Sequence, residues 1–342
     1  MGDCLWILLR TARRNWQNPN PVFAGLVPEG EEMDSTEQNR GVFRVTREAR
    51  GRVPADGIEL AFGYWPGRGA PVVALHGLTA SYLNFIGVAE CLAGRLPLLA
   101  VDLRGRGDSD QPAGPYGMAQ HARDVAAAMK AMGLGASIVI GHSMGAFVAS
   151  ALAQQEPSLL SGLILIDGGY VLDTPAGVNQ DQALNAALAL RIAQLRQTYP
   201  SRQEYREFWR TQPHFPAREW NRWVEAFLDY EVGGESPVQP KASEAAVRGD
   251  LADGFQRDAI LARLKSIRVP TMFIRAESGF TPDQPPLYPD SVVPQIRACV
   301  PHMKDHKFAG TTHYTVVLGE RGATKIADLL CEMTTQRIGS SA

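Results

Sequence analysis

The segment 141–145 has the pattern Gly-x-Ser-x-Gly, and Ser143 stands at its centre. An apolar run at 137–140 precedes the segment, and a helical pattern begins at Met144. The two glycines allow a strand to turn sharply into a helix, which lifts the serine hydroxyl above the edge of a sheet. The pattern therefore predicts Ser143 as a nucleophile, and the alternative is a tight turn without chemistry.

A serine hydroxyl is a weak nucleophile unless a neighbouring base takes its proton. The base we predict is His313, which lies in a polar loop after a predicted strand at 307–309 and before a predicted closing helix at 321–332. That position returns the imidazole to the sheet edge that carries Ser143. The alternative is a loop histidine that caps a helix.

Acyl chemistry also needs two backbone amides that stabilise the oxyanion of the intermediate. The amide of Met144, at the start of a helix, is the first candidate. The second is the amide of Leu78, in the loop after the apolar run 72–75, where Gly77 permits a close approach. Leu78 and Met144 are thus the predicted oxyanion hole.

Other motifs predict no metal and no cofactor. His302 and His306 have the spacing of a helical metal pair, but Pro301 and the strand that follows argue against a helix there, and no third ligand is evident. Neither a phosphate-binding GxxxxGK[ST] loop nor a dinucleotide fingerprint in a strand–helix–strand setting occurs. The ring of His142 is expected to pack beside the serine.

Short apolar runs alternate with helical patterns along most of the chain, which is typical of an α/β fold with a buried, mostly parallel sheet. A turn signal precedes the first predicted strand, 58–65. The remaining predicted strands and helices are 72–75, 96–101, 137–140, 163–166 and 271–274, and 118–132 and 144–155.

About 100 residues interrupt this alternation, between Asp167 and Val269. They hold helical, aromatic-rich segments, which predicts a cap over the carboxyl ends of the strands, where open α/β sheets bind ligands. These segments are 180–197, 202–211 and 217–230. The predicted domains are an extension at 1–50, a core at 51–168 and 255–342, and a cap at 169–254.

Composition excludes several partners. The 342 residues carry 34 basic and 36 acidic side chains, a net charge of −2, which lacks the basic excess of a nucleic-acid binder. No apolar run approaches the ~20 residues of a membrane helix. Four scattered cysteines and the lack of a secretory pattern favour the cytoplasm. Homo-oligomerisation stays open.

Taken together, the motifs resemble the α/β-hydrolase superfamily over about residues 52–335. The resemblance implies an eight-stranded, mostly parallel sheet flanked by helices, with an inserted helical cap. Its features, in chain order, are His76-Gly77 after a strand, the loop 102–109, the turn at Ser143, a strand that ends in Asp167, and His313.

The acid of the triad departs from the common pattern of the superfamily. Relatives usually carry an aspartate a few residues after the strand that corresponds to 271–274, where this chain has Gly279. Some relatives place the acid after the strand before the cap, which here is Asp167. We expect Asp167, with Glu277 or another acid such as Asp283 as the alternatives.

The predicted function is a cofactor-free serine hydrolase of a carboxylic ester or lactone of a hydrophobic small molecule. The same triad would also serve for amides, carbamates or carbon–carbon bonds. A hydrolase-shaped ligand-binding protein without turnover is the alternative from another class.

Overall fold

Eight strands form one sheet in the computed structural model, which describes residues 48–172, 177, 179–254 and 256–340. The predicted extension 1–50 lies outside these residues except at its end, where Ala49 and Arg50 begin the first strand. The strands are β1 Ala49–Pro54, β2 Glu59–Trp65, β3 Val72–Leu75, β4 Leu98–Val101, β5 Ser137–His142, β6 Leu160–Ile166, β9 Thr271–Ala276 and β10 Lys304–Phe308.

The strand order is β1-β2-β4-β3-β5-β6-β9-β10. β2 pairs antiparallel with β1 and with β4, whereas the pairs from β4 to β10 are parallel. β5 lies near the middle, so Ser143 follows directly on a central strand. Strands β3, β4, β5, β6 and β9 are buried throughout, as expected for a parallel sheet covered on both faces.

The helices form two groups, one outside and one within the long connection from β6 to β9. Those outside the long connection from β6 to β9 are α1 Ile86–Leu92, α2 Met118–Ala131, α3 Met144–Gln155, α9 Val293–Cys299, α10 Thr315–Leu318 and α11 Glu320–Ser340. Those within it are α4 Gln180–Leu195, α5 Arg202–Thr211, α6 Arg222–Glu231, α7 Glu244–Gly254 and α8 Arg257–Ser266, with the short strands β7 Val232–Gly233 and β8 Gln239–Pro240. None of these described helices is long and apolar enough to cross a membrane.

Several sequence predictions agree closely with these elements. Strand 72–75 and helices 144–155 and 202–211 have the predicted bounds. The predicted helix 217–230 is instead a short 3-10 turn followed by α6, because the side chain of Asn221 accepts hydrogen bonds from two backbone amides and caps a new helix there.

We call the connection from β6 to β9 the insertion. Tyr230 on α6 joins it to the core by a hydrogen bond. The Tyr230 hydroxyl donates a hydrogen bond of 2.6 Å to Oδ2 of Asp102, which follows β4. The same carboxyl group accepts backbone amides from Tyr82 and Asp108, at 2.8 and 3.0 Å. Burial raises the pKa of Asp102 to about 6. Tyr230 therefore anchors the insertion to a buried carboxyl group of the core.

Candidate active site

Ser143 lies in a strained turn between β5 and α3. Its backbone has φ 54° and ψ −119°, which an L residue rarely adopts. The amide of Ser143 donates a hydrogen bond to the carbonyl of Ile166 at 2.9 Å, which fixes the turn against β6. The Ser143 hydroxyl caps no amide of α3. It is therefore left for other chemistry, and the residue lines a cavity.

Gly141 and Gly145 make this turn sterically feasible. A Cβ atom at Gly141 would lie 2.2 Å from the carbonyl oxygen of Gly145, and one at Gly145 would lie 2.0 Å from that of Leu75. Both distances are far shorter than any real contact, so a side chain at either position would force the backbone apart. The two glycines of the sequence motif are thus required for the close packing of α3 on the sheet.

His313 and Asp167 form a buried pair in the structure. The imidazole Nδ1 lies 2.7 Å from Oδ2 of Asp167, and both side chains are at most 5% exposed. The other carboxylate oxygen accepts the amide of Ala276 at 3.1 Å. Because Nδ1 donates its proton to the carboxylate, Nε2 of His313 keeps a lone pair with which to accept a proton. His313 lines the same cavity as Ser143.

His142 supports the backbone of His313. Its Nε2 lies 2.9 Å from the carbonyl oxygen of His313, so this nitrogen must donate. Nδ1 lies 2.9 Å from Oδ1 of Asn84, and because a neutral ring that donates from Nε2 can only accept at Nδ1, the amide of Asn84 must turn its NH₂ group toward this nitrogen. Burial, together with the neighbouring His313, holds the pKa of His142 well below its usual range. The ring is therefore neutral and acts as a fixed support, and its centre lies 4.7 Å from that of His313.

The structure does not bring the alternative acids to His313. Glu277 is exposed and accepts a hydrogen bond of 2.7 Å from the amide of Gly310, so it stabilises a turn. Asp283 is also exposed, and its carboxylate accepts the hydroxyl of Thr281 at 2.5 Å. Of the three predicted acids, Asp167 is the one that contacts the imidazole.

The histidine pair of the sequence analysis has no metal-binding geometry. His306 lies on β10, and His302 contacts the carbonyl of Val269 at 2.8 Å through Nε2. Among the described residues, no group of three or more His, Cys, Asp or Glu side chains could hold a metal ion.

Leu78 and Met144 both line the cavity beside Ser143. Met144 is the first residue of α3, so its amide precedes the hydrogen bonds of the helix. The loop that carries Leu78 approaches the serine closely, since a Cβ atom at Gly77 would lie 3.7 Å from Ser143 Oγ. His76 fixes this loop: Nδ1 donates to the carbonyl of Gly77 at 2.7 Å, and Nε2 accepts the amide of Leu103 at 2.9 Å.

Arg106 is a further support of the same loop. Its Nε donates to the carbonyl of Leu78 at 2.8 Å, and Nη2 lies 3.8 Å from the sulfur of Met144. The guanidinium is fully buried and is neutralised by Asp250 of α7, at 2.5 Å. Although burial alone would raise the pKa of Asp250, Arg106 and His121 hold it well below its usual range. A buried ion pair therefore links the insertion to both residues of the predicted oxyanion hole.

The cavity in front of Ser143 has a volume of about 400 Å³ and a mostly apolar wall. This size suits a small organic molecule. The insertion supplies much of the wall, and Leu172 and Leu190 on its rim are 42% and 57% exposed. The aromatic residues from the insertion that line it are Tyr199, Tyr205, Phe208, Trp209, Phe215 and Phe227.

Several site residues escaped the sequence analysis. Arg106 lies within the loop motif 102–109, so its position was a signal, but its partner Asp250 is distant in the sequence. Arg191 and Glu231 also line the cavity, and no local pattern distinguishes them from surface charges. Asn84, which contacts His142, likewise has no local sequence pattern that marks it as a site residue.

Comparison with known proteins gives matches over most of the chain. The curated 2-(acetamidomethylene)succinate hydrolase of Mesorhizobium japonicum is 28% identical over 217 residues, which is 62% of this chain and 72% of that protein. An N-formylmaleamate deformylase of Pseudomonas putida is 36% identical over 121 residues, 35% of this chain and 45% of that enzyme. The crystal structure of an E-2-(acetamidomethylene)succinate hydrolase superposes with a TM-score of 0.69 at 21% identity, covering 84% of this chain and 100% of the other.

A family model described as the alpha/beta hydrolase fold matches residues 70–319. That range contains the turn at Ser143, the loop with Leu78, Asp167 and His313. The predicted fold class is confirmed by this match, by the eight-stranded sheet and by the structural likeness. The chain belongs to the α/β-hydrolase family.

Proposed function

We propose that this hydrolase works by acyl transfer through Ser143, with His313 as the base and Asp167 as the acid of the triad. The observation that carries the proposal is the contact of 2.7 Å between His313 and Asp167, at the wall of the cavity that Ser143 also lines. The strained backbone of Ser143 supports it as well, because strain of this kind is typical of serine nucleophiles in the fold.

In the proposed reaction, Nε2 of His313 takes the hydroxyl proton of Ser143 as Oγ attacks the carbonyl carbon of the substrate. The amides of Leu78 and Met144 donate hydrogen bonds to the resulting oxyanion. The imidazolium gives its proton to the leaving group, which departs and leaves an acyl-enzyme. Water, deprotonated by the same imidazole, then releases the acid and restores the Ser143 hydroxyl. Asp167 orients the ring of His313 and stabilises the imidazolium.

The first candidate substrate is a carboxylic ester or lactone of a hydrophobic small molecule. The apolar, aromatic wall supports this choice, because the transfer of an apolar substrate from water to such a surface is favourable. The proposed cap at 169–254 supplies most of the aromatic part of that wall. Free thiols at Cys91, Cys299 and Cys331 support a reducing, cytoplasmic location.

The second candidate is an amide or carbamate, and Arg191 favours a version that bears a carboxylate. The guanidinium carbon of Arg191 lies 5.6 Å from the ring centre of Phe280, whose ring lies 4.6 Å from that of His313. A substrate carboxylate near the scissile bond would lie close to the guanidinium of Arg191. Two relatives, a 2-(acetamidomethylene)succinate hydrolase and an N-formylmaleamate deformylase, have names that describe N-acyl compounds with an acidic part.

The test compares wild type with Ser143→Ala on a fluorophosphonate probe and on p-nitrophenyl esters of short and medium chain length. We expect labelling and hydrolysis in wild type and neither in the variant. Equal signals in both proteins would overturn the proposal and favour a ligand-binding protein of the same fold. Matched N-acyl amides with and without a carboxylate, assayed in parallel, decide between the two candidates by kcat/KM.

A further inference from the structure

Glu231, the last residue of α6, is half-buried as a residue, and its carboxyl group lies on the wall of the apolar cavity, enclosed by protein atoms. Its one side-chain hydrogen bond among the described residues comes from the hydroxyl of Tyr205, at 3.1 Å to Oε2. No cation contacts the carboxyl group in the part of the chain that the structure describes. Burial of a carboxyl group with a single neutral partner is unfavourable unless a further polar group meets it.

The surroundings of Glu231 are mostly apolar and offer its carboxyl group few hydrogen-bond partners. Phe227 and Leu228, on the same helix, line the cavity as well and are almost fully buried. Trp209 packs edge-on against Tyr205, with ring centres 6.2 Å apart, and its Nε1 is buried without a hydrogen-bond partner among the described residues. The mostly apolar wall thus contains a polar spot, made by Glu231, Tyr205 and Trp209, whose hydrogen-bonding capacity is incompletely used.

This polar spot is separate from the reacting groups. Tyr205 reaches His313 through a series of ring contacts: Tyr205 to Trp209 at 6.2 Å, Trp209 to Tyr314 at 6.2 Å, and Tyr314 to His313 at 5.8 Å. No hydrogen bond or ring contact joins Glu231, Tyr205 or Trp209 directly to Ser143 or His313 among the described residues, so a group bound at Glu231 lies apart from the carbonyl that Ser143 would attack. It would belong to the far end of a substrate whose middle is apolar.

Burial raises the pKa of Glu231 to about 8, so the carboxyl group is mostly protonated near neutral pH. The titratable groups that face it are the phenols of Tyr205 and Tyr314, whose pKa values burial raises as well. The nearest cation on the cavity wall is Arg191, which interacts with Tyr314 rather than with the carboxyl group. A protonated carboxyl group both donates and accepts hydrogen bonds, as a hydroxyl or a primary amide does. The preferred partner is accordingly a neutral polar group.

We propose that Glu231, with Tyr205 and Trp209, is a specificity site that binds a neutral hydroxyl or primary amide at the far end of an otherwise apolar substrate. The inference rests on the proposed acyl-transfer function and adds a substrate class to it. A hydrogen-bonding site discriminates against an analogue that lacks its polar group, because the buried groups are then left without partners.

The test uses p-nitrophenyl esters of straight-chain acids, in several lengths, whose far end is methyl, hydroxyl, carboxamide or trimethylammonium. Acetate esters of alcohols with the same ends form a second series, in case the leaving group occupies the site. At the best length in one series, we expect wild type to prefer the hydroxyl or carboxamide end over the methyl end by about tenfold in kcat/KM, as one hydrogen bond warrants.

Three variants sharpen the test. Glu231→Gln keeps a group that donates and accepts and should retain the preference, whereas Glu231→Leu should lose it. Glu235→Leu, at an exposed position on the same segment, is the matched control and should behave as wild type. In wild type the preference should also grow as pH rises through about 8, because a methyl end packs badly against an ionised carboxylate, and Glu231→Gln should lack this growth.

Three results would overturn the inference while hydrolysis still depends on Ser143: equal kcat/KM for methyl and polar ends in both series, a preference unchanged in Glu231→Leu, or a stronger preference for trimethylammonium than for the neutral ends. Hydrolysis that persists in Ser143→Ala would instead contradict the proposed function. The two failures are therefore distinct.

Discussion

The Nδ1 atom of His313 lies 2.7 Å from Oδ2 of Asp167, and these two residues are 146 positions apart in the chain. Asp167 directly follows β6, whereas His313 follows β10, and β9 separates the two strands in the sheet. The amide of Ala276 at the end of β9 holds the second oxygen of the carboxylate. Three strand ends therefore fix one acid–imidazole pair.

The first prediction concerns Asp167→Asn. An amide keeps the size of the side chain but cannot stabilise an imidazolium, and it favours the wrong tautomer, so we expect kcat for a p-nitrophenyl ester to fall by about a thousandfold or more. Glu277→Gln is the control, because Glu277 contacts Gly310 and not His313, and should change kcat by less than about threefold. Steady-state kinetics with both variants would reverse the assignment if Glu277→Gln proved the more damaging.

The second prediction separates His142 from His313. His142→Phe removes the donor to the carbonyl of His313, and we expect kcat to fall by about tenfold, the effect of one hydrogen bond. Because the buried ring of His142 is neutral, the pH at which kcat declines on acidification should not move. Full pH profiles of wild type and variant measure this; a lost or displaced acidic limb would mean that His142 is the titrating group. His142→Gln, which keeps a donor, should restore part of kcat.

The third prediction treats Arg106 and Asp250 as one unit. Arg106→Met leaves the carboxylate of Asp250 buried without its cation, and we expect a loss of about 3–5 kcal/mol in the free energy of unfolding. The double variant Arg106→Met/Asp250→Leu should recover much of that stability but not kcat, because nothing then holds the carbonyl of Leu78. Denaturant unfolding and steady-state kinetics are the measurements. Recovery of kcat together with stability would show that Arg106 does not position the loop.

The fourth prediction is a pH dependence of stability due to Glu231. Burial raises its pKa from 4.5 to about 8 in the folded state, so the folded protein holds more protons than the unfolded chain between these values. The free energy of unfolding should therefore decrease as pH rises from about 4.5 to 8. In Glu231→Gln this contribution should vanish, and the variant should gain stability relative to wild type across the window. Parallel slopes for the two proteins would exclude a raised pKa.

Several strands and helices of this fold could be predicted from the sequence because they depend on short-range patterns. Strand 72–75 and helix 144–155 have fully apolar or periodic sequences, and their bounds agree with the structure. Strand β10 begins at Lys304 rather than at the predicted residue 307, because an edge strand is polar and gives no apolar run. Helices α7 and α8 were missed since α7 holds two glycines and neither shows a clear apolar face.

Residues of the candidate site could be predicted where they belong to a sequence motif, but not where residues far apart in the sequence come together. Ser143 and His313 follow from a turn pattern and a loop position, and they line one cavity. Among Asp167, Glu277 and Asp283, the contact with His313 favours Asp167, and the sequence alone could not distinguish them because all three acids follow strands at the same sheet edge. Glu231 lies on a helix with several charged residues, so the sequence cannot tell which of them faces inward. Arg191 lies on a helix with few charged residues, but no apolar pattern indicates which face of that helix lines the cavity.

The anchor between Tyr230 and Asp102 limits how reactants enter and leave the cavity. Displacement of α6 from the sheet would remove the phenol of Tyr230 from a buried carboxyl group, which would then keep only the two backbone amides of Tyr82 and Asp108. Displacement of α4 would break an exposed ion pair between Arg196 and Glu244 and a small apolar contact of Ile192 and Leu195 with Val247. Of these two helices, α4, which carries Leu190, is therefore the one whose displacement would cost fewer buried polar contacts.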